Sequence, residues 1–186
     1  MPRSDPDRER DASLEASGEP WDRYARAVVE IALDDRVLEL VPRDGAAPPA
    51  PPAAASAPIG GVLPGPVTIV TACDPYPRTL AAAENRARTA ALVRALDAAG
   101  IPHLPALGRS PDRRESEVSR ALLGVDRATG LAVAAAHDQL AVFEIDGATI
   151  ACVTVADGAV MTRRAHDATL RPRTVPSGDP DGRVEG

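Results

Sequence analysis

Eight side chains in the middle of the chain are of types that bind or transform polar ligands: Asp74, Tyr76, Glu84, Asn85, Arg88, Glu117, Ser119 and Gln139. Asp74 and Tyr76 follow an apolar run and precede a helical pattern, a junction where free backbone N–H groups and the helix dipole converge on ligands. There the Asp74 carboxylate would accept from a donor group and Tyr76 would cover it. Arg88, one turn from Glu84, has the geometry of an anion clamp with a base or ion-pair partner beside it. Glu117 and Ser119 alternate, so on a strand they share a face. Together these residues predict a polar cleft for a small anionic or nucleotide-like ligand, with acid–base chemistry on the carboxylates. Each also has a purely architectural reading. Asp74 caps a Pro-rich turn, Glu84 and Arg88 make a one-turn surface pair, and Gln139 bonds exposed backbone at a sheet edge. With no complete catalytic constellation, whether the chain is an enzyme stays open. The alternative is a non-catalytic interaction module whose partner takes a sheet edge or a Pro-rich insertion.

Composition removes several chemistries. All 21 basic residues are Arg. With no Lys there is neither a Schiff-base amine nor the lysine of a phosphate-binding loop. Cys73 and Cys152 are far apart, and His103, His137 and His166 are scattered, so neither a disulfide framework nor a zinc site is expected, and no cofactor is predicted. A net charge of −6 with only Trp21, Tyr24, Tyr76 and Phe143 as aromatics disfavours nucleic acid. The absence of a secretory signal or a long apolar run predicts a cytoplasmic protein without membrane contact.

These residues must be held by elements that the pattern outlines. Residues 1–20 read as disordered and 21–160 as one α/β domain. Ala27–Leu33 and Arg36–Val41 around Asp34-Asp35 predict a hairpin, against a competing helix over 21–36. Residues 43–66, rich in Pro and Ala, read as a surface insertion. Val67–Ala72 is a strand buried on both faces, and a helix follows from about Thr79 to Ala99, stopped by Gly100 and Pro102. Its predicted apolar stripe holds Leu80, Ala87, Ala91 and Leu92 or Leu96. Residues 103–107, 140–145 and 149–155 read as strands, Glu117–Leu123 is ambiguous, and Asp126 caps a second helix running to about His137. Residues 161–186 read as a disordered tail. The simplest assembly is one mixed five- or six-stranded sheet with two helices on one face.

Several of these residues recur as spaced motifs: Thr71-Ala72-Cys73-Asp74-Pro75, Glu84-Asn85, Glu117-x-Ser119 and Gln139-x-Ala141. In this the chain resembles a small bacterial family designated domain of unknown function 3293, over Tyr24 to about Val155. Asp74 stands where that pattern has Asn, Pro77 where it has Ser, Glu115 where it has Trp, and Ala136 where Phe would precede the Gln motif. In the pattern a Ser three residues before the Glu would form a capping box; Ala81 replaces it here, leaving Thr79 as the next candidate cap. The resemblance implies domain limits and no particular reaction.

Overall fold

The computed structural model describes residues 21–45 and 57–173. The strands are β1 (Val28–Ala32), β2 (Arg36–Pro42), β3 (Val67–Thr71), β4 (His103–Arg109), β5 (Ser116–Leu123), β6 (Ala141–Ile145), β7 (Thr149–Thr154) and β8 (Val160–Pro172). The helices are a single turn, α1 (Trp21–Tyr24), then α2 (Ala82–Ala98) and α3 (Arg127–Ala135). The strands close into a barrel in the order β1-β2-β8-β7-β6-β3-β5-β4, and every pairing is antiparallel.

This overturns the expected mixed sheet. A strand, helix and strand in succession suggested a parallel crossover from β3 to β4. Instead β5 lies between those two strands and runs antiparallel to both. The tail expected from residue 161 is, as far as Pro172, the longest strand of the barrel. Its Arg and Asp residues looked solvated because half of any barrel strand faces outward. Here those residues pair across the sheet, Arg43 with Asp167 at 2.7 Å and Arg171 with Glu39 at 2.5 Å. The hairpin at Asp34-Asp35 is present, closed by Leu33 N–H donating to Arg36 O. Residues 1–20, most of the Pro-rich run at 46–56 and residues 174–186 fall outside the described part.

Alternation along the strands builds two cores. Inside the barrel, Val29, Ile31, Leu38, Leu40, Val67, Ile69, Ala121, Ile145 and Ile150 interdigitate. Ile59 and Leu63, expected in a surface insertion, join them almost fully buried. They sit on a tight turn where a Cβ on Gly60 would stand 2.6 Å from Leu38 Cδ1, so only glycine lets the turn close onto the core. Outside the barrel, α2 and α3 cover β5, β3, β6 and β7 through Leu92, Leu96 and Ala134 against Val70, Leu122, Val142 and Val153. At Gly130 of α3, a Cβ would meet Thr68 Cγ2 at 2.9 Å, so that helix lies directly on β3.

A charged cluster on the outer face straps β8, β2, β1 and β4 together. Arg109 on β4 donates to Glu30 of β1 at 2.6 Å and to Glu39 of β2 at 2.7 Å, while Arg171 of β8 takes the other oxygen of Glu39. Glu39 and Arg109 are both buried. Removing one member strands its partners in a water-poor site, so Glu39→Ala is expected to lower stability by about 3 kcal/mol in denaturant unfolding. An exposed pair offers the comparison: Arg36→Ala, which loses only Asp35, should cost less than about 1 kcal/mol.

Candidate functional site

The motif residues come together where β3 ends. Asp74, in a left-handed conformation with φ 41°, accepts at Oδ1 from Leu80 N–H and from Asn85 Nδ2, both at 2.8 Å. Asn85 Oδ1 in turn accepts from Asp74 N–H at 2.9 Å. Arg88 reaches the other way. Its Nε donates to Ala72 O at 2.7 Å and its Nη2 to His137 O at 2.6 Å, with the Asp138 carboxylate 3.5 Å from Nη2. Gln139 Nε2 donates to Cys73 O at 2.9 Å and His137 O at 3.2 Å. The outcome is a polar brace tying the start of α2 to the end of β3 and to the loop after α3. Most of its bonds end on main chain.

The remaining candidates lie apart from that brace. Glu84 is exposed on α2 and makes no ion pair with Arg88, which turns toward the barrel. The α2 N-cap is Ala81, which has no side-chain cap bond, and Thr79 lies outside the helix. Of the expected apolar stripe, Leu92 and Leu96 are buried while Ala87 is exposed. Tyr76 is exposed, its N–H bonded to Asp138 O. Ser119 is buried, its hydroxyl donating to Glu117 O at 3.3 Å.

Between α2 and β5 runs an open cleft of about 680 Å³. Asp74, Asn85 and Glu117 line it near the start of α2, and Glu84 and Arg88 do not. Cys73 forms part of its floor, with Sγ 3.5 Å from Thr89 Oγ1. Val118 and the small side chains of Ala82, Ala90 and Val93 make the walls, and Arg86, Arg94 and Arg120 supply positive charge. Among the described residues these three arginines make no ion pair, and the Nε of Arg120 is buried with no hydrogen-bond partner. A buried guanidinium nitrogen without an acceptor is a donor whose desolvation is uncompensated.

Glu117 is the other unusual group. Burial raises its carboxyl from 4.5 to about 7, the nearby charge of Asp74 adds to the rise, and Arg23 opposes it. At neutral pH it therefore holds a proton much of the time and can donate or accept. Tyr24 of α1 lies beside it, packed edge-on against Phe143. Burial first, then the charge of Glu117, pushes the Tyr24 phenol up to about 12.

Sequence reasoning did not single out Arg120 or Val118, because Glu117–Leu123 was ambiguous between strand and loop. Once it is a strand, alternation puts Val118, Arg120 and Leu122 on the face opposite Ser119, and Leu122 leads into the core beneath α2. Among the described residues no His, Cys, Asp and Glu group is arranged to hold a metal ion.

A family model described as "Protein of unknown function (DUF3293)" matches residues 70–142. That span starts in β3 and ends in β6, and it contains both the brace and the cleft. It is narrower than the Tyr24 to Val155 range suggested by the motifs. No curated protein and no solved structure matches the chain. Thr71 to Asp74, Glu84-Asn85, Glu117, Ser119 and Gln139 all lie inside the matched segment, which is similar to the domain of unknown function 3293 family.

Proposed function

We propose that the protein binds a small organic anion in the cleft between α2 and β5, with Arg120 as its charge partner, assisted by Arg86 and Arg94 of α2. The observation that supports this reading is that Arg120, Arg86 and Arg94 line one cleft and make no ion pair among the described residues. A carboxylate or phosphate oxygen would pair with these guanidinium groups through charge-assisted bonds. Arg88, the clamp that the sequence suggested, has its donors engaged with Ala72 O and His137 O, so the positive pole of the site falls to β5. The cleft's volume falls in the range of small-ligand sites.

The test is a thermal-shift titration with a panel of small carboxylates and phosphate esters. The wild-type chain should be stabilised by at least one of them, and Arg120→Gln should lose most of that shift while folding normally. A panel that stabilises neither protein, or both equally, refutes the assignment.

Glu117 makes a separate prediction in the absence of ligand. Its folded value is raised, so between about 4.5 and about 7 the native state holds more protons than the unfolded chain. This group therefore contributes a loss of stability as pH rises through that window, complete above about 7. Relative to wild type, Glu117→Gln should gain on the order of 2 kcal/mol between pH 4.5 and pH 8, the figure being reduced for water at the cleft mouth. Urea unfolding at the two pH values measures it, and parallel pH profiles for the two proteins would contradict it.

A further inference from the structure

The end of the barrel where β1 begins and β3 finishes is covered by α1, and side chains alone hold α1 there. Among the described residues the main-chain bonds of this segment are all local: Ala25 N–H donates to Trp21 O, Arg26 N–H to Arg23 O and Ala27 N–H to Tyr24 O. The ladders to β4 and β2 start only at Val28 and Val29. What seats the turn is aromatic. Trp21 is 8% exposed with its ring 5.9 Å from that of Tyr24, and Tyr24 stands edge-on to Phe143 of β6 at 6.0 Å. The ion pair of Arg23 with Glu115 at 3.5 Å adds little, since both side chains are exposed. The turn can therefore lift without breaking a strand pairing.

A carboxyl sits beside this turn. Glu117 borders the cleft, yet its side chain shares the Ser119 face of β5, the face that continues through Ala121 into the inner core. Opposite it on β4 is Gly108, which offers no side chain. Among the described residues the Glu117 carboxyl accepts no hydrogen bond and joins no ion pair. The charged and titratable groups that face it come from two sides, Asp74 from the loop after β3 and Arg23 and Tyr24 from α1. Cys152 of β7 acts on Tyr24 in turn.

We propose that α1 is a proton-controlled plug, seated on the barrel end while Glu117 carries a proton and lifted away when that carboxyl ionises. An ionised carboxylate needs water or a cation, and Arg23, the one cation that acts on it, is set against the negative charge of Asp74. Lifting α1 lets water reach the group. Covered, Glu117 keeps its proton to about 7 against 4.5 in water, so the seated state holds the extra proton and rising pH favours the lifted one. Complete ionisation lowers the seating equilibrium by up to roughly 300-fold. Tyr24 and Cys152, both pushed up to about 12, stay neutral across this range. The device is independent of what the cleft binds.

Trp21 is the only tryptophan of the chain, so its fluorescence reports on the plug directly. Between pH 6 and pH 8.5, acrylamide quenching of the full chain should rise several-fold and the emission move to the red, while the far-ultraviolet circular dichroism of the barrel stays constant. Glu117→Gln should stay blue and protected throughout. Asp74→Asn should move the midpoint down, because a negative neighbour is lost, and Arg23→Gln should move it up, because a positive one is lost. Wild-type fluorescence that ignores pH overturns the plug. So does a response that persists in Glu117→Gln, which would assign the titration to another group. Circular dichroism lost in step with the fluorescence change also overturns it, since the barrel as a whole would then be unfolding.

Discussion

The position of α2 decides whether there is a cleft at all, and that position depends on a few polar bonds at its start. The helix has no side-chain N-cap and buries only Leu92 and Leu96, both in its second half. Two leucines fix where the far end rests but leave the near end free to swing. Arg88 supplies the missing constraint. Its planar fork reaches two carbonyls that belong to different segments, Ala72 O after β3 and His137 O after α3. Hydrogen bonds from a charged donor contribute about 1.5–3 kcal/mol each, more than a neutral turn bond supplies. A lysine in that place would offer a point charge without the fixed fork, so an all-Arg chain suits a brace of this kind. The reciprocal Asp74 and Asn85 bonds then set the helix start against the strand end.

The barrel beneath gives that brace something rigid to hold. A sheet of eight antiparallel strands closes on itself and leaves no open edge for another chain to extend. Closure brings β1 next to β4, and there the Glu30, Arg109 and Glu39 cluster sits. The inner core fills the barrel with aliphatic side chains from every strand, and Ile59 and Leu63 pack into it from the turn that precedes β3. The open cleft therefore lies outside the barrel, in the angle between β5 and the helix laid across it.

Local patterns in the sequence were legible and their pairing was not. The β-branched run Val67–Thr71, the Asp34-Asp35 hairpin and the Gly100 stop of α2 depend on neighbours a few residues away, and each is present in the structure. Strand order depends on contacts across much of the chain. β8 shows the difficulty. Its residues Arg163, Arg164, Asp167 and Arg171 have the composition of a solvated tail, and what makes them a strand is a ladder to β7 and β2 together with cross-strand ion pairs. No window around residue 165 contains those partners. In the same way, the motif residues signalled a common location correctly, since Asp74, Asn85, Arg88 and Gln139 do converge. Which of them would be consumed by main-chain bonds could be read only once Ala72, Cys73 and His137 had positions.

That division explains what the departure at Asp74 does. The brace uses this side chain only as an acceptor, Oδ1 taking both Leu80 N–H and Asn85 Nδ2. The Asn of the family pattern accepts through the same atom, so replacing it with Asp leaves both bonds intact. What changes is charge. Asp74 lies close enough to act on Glu117, and after burial its negative charge is the second cause that raises the Glu117 carboxyl to about 7. With a neutral Asn there, only burial would oppose ionisation, and Glu117 would give up its proton at a lower pH. The substitution is silent in the architecture and acts on a proton, the one held by the Glu117 carboxyl.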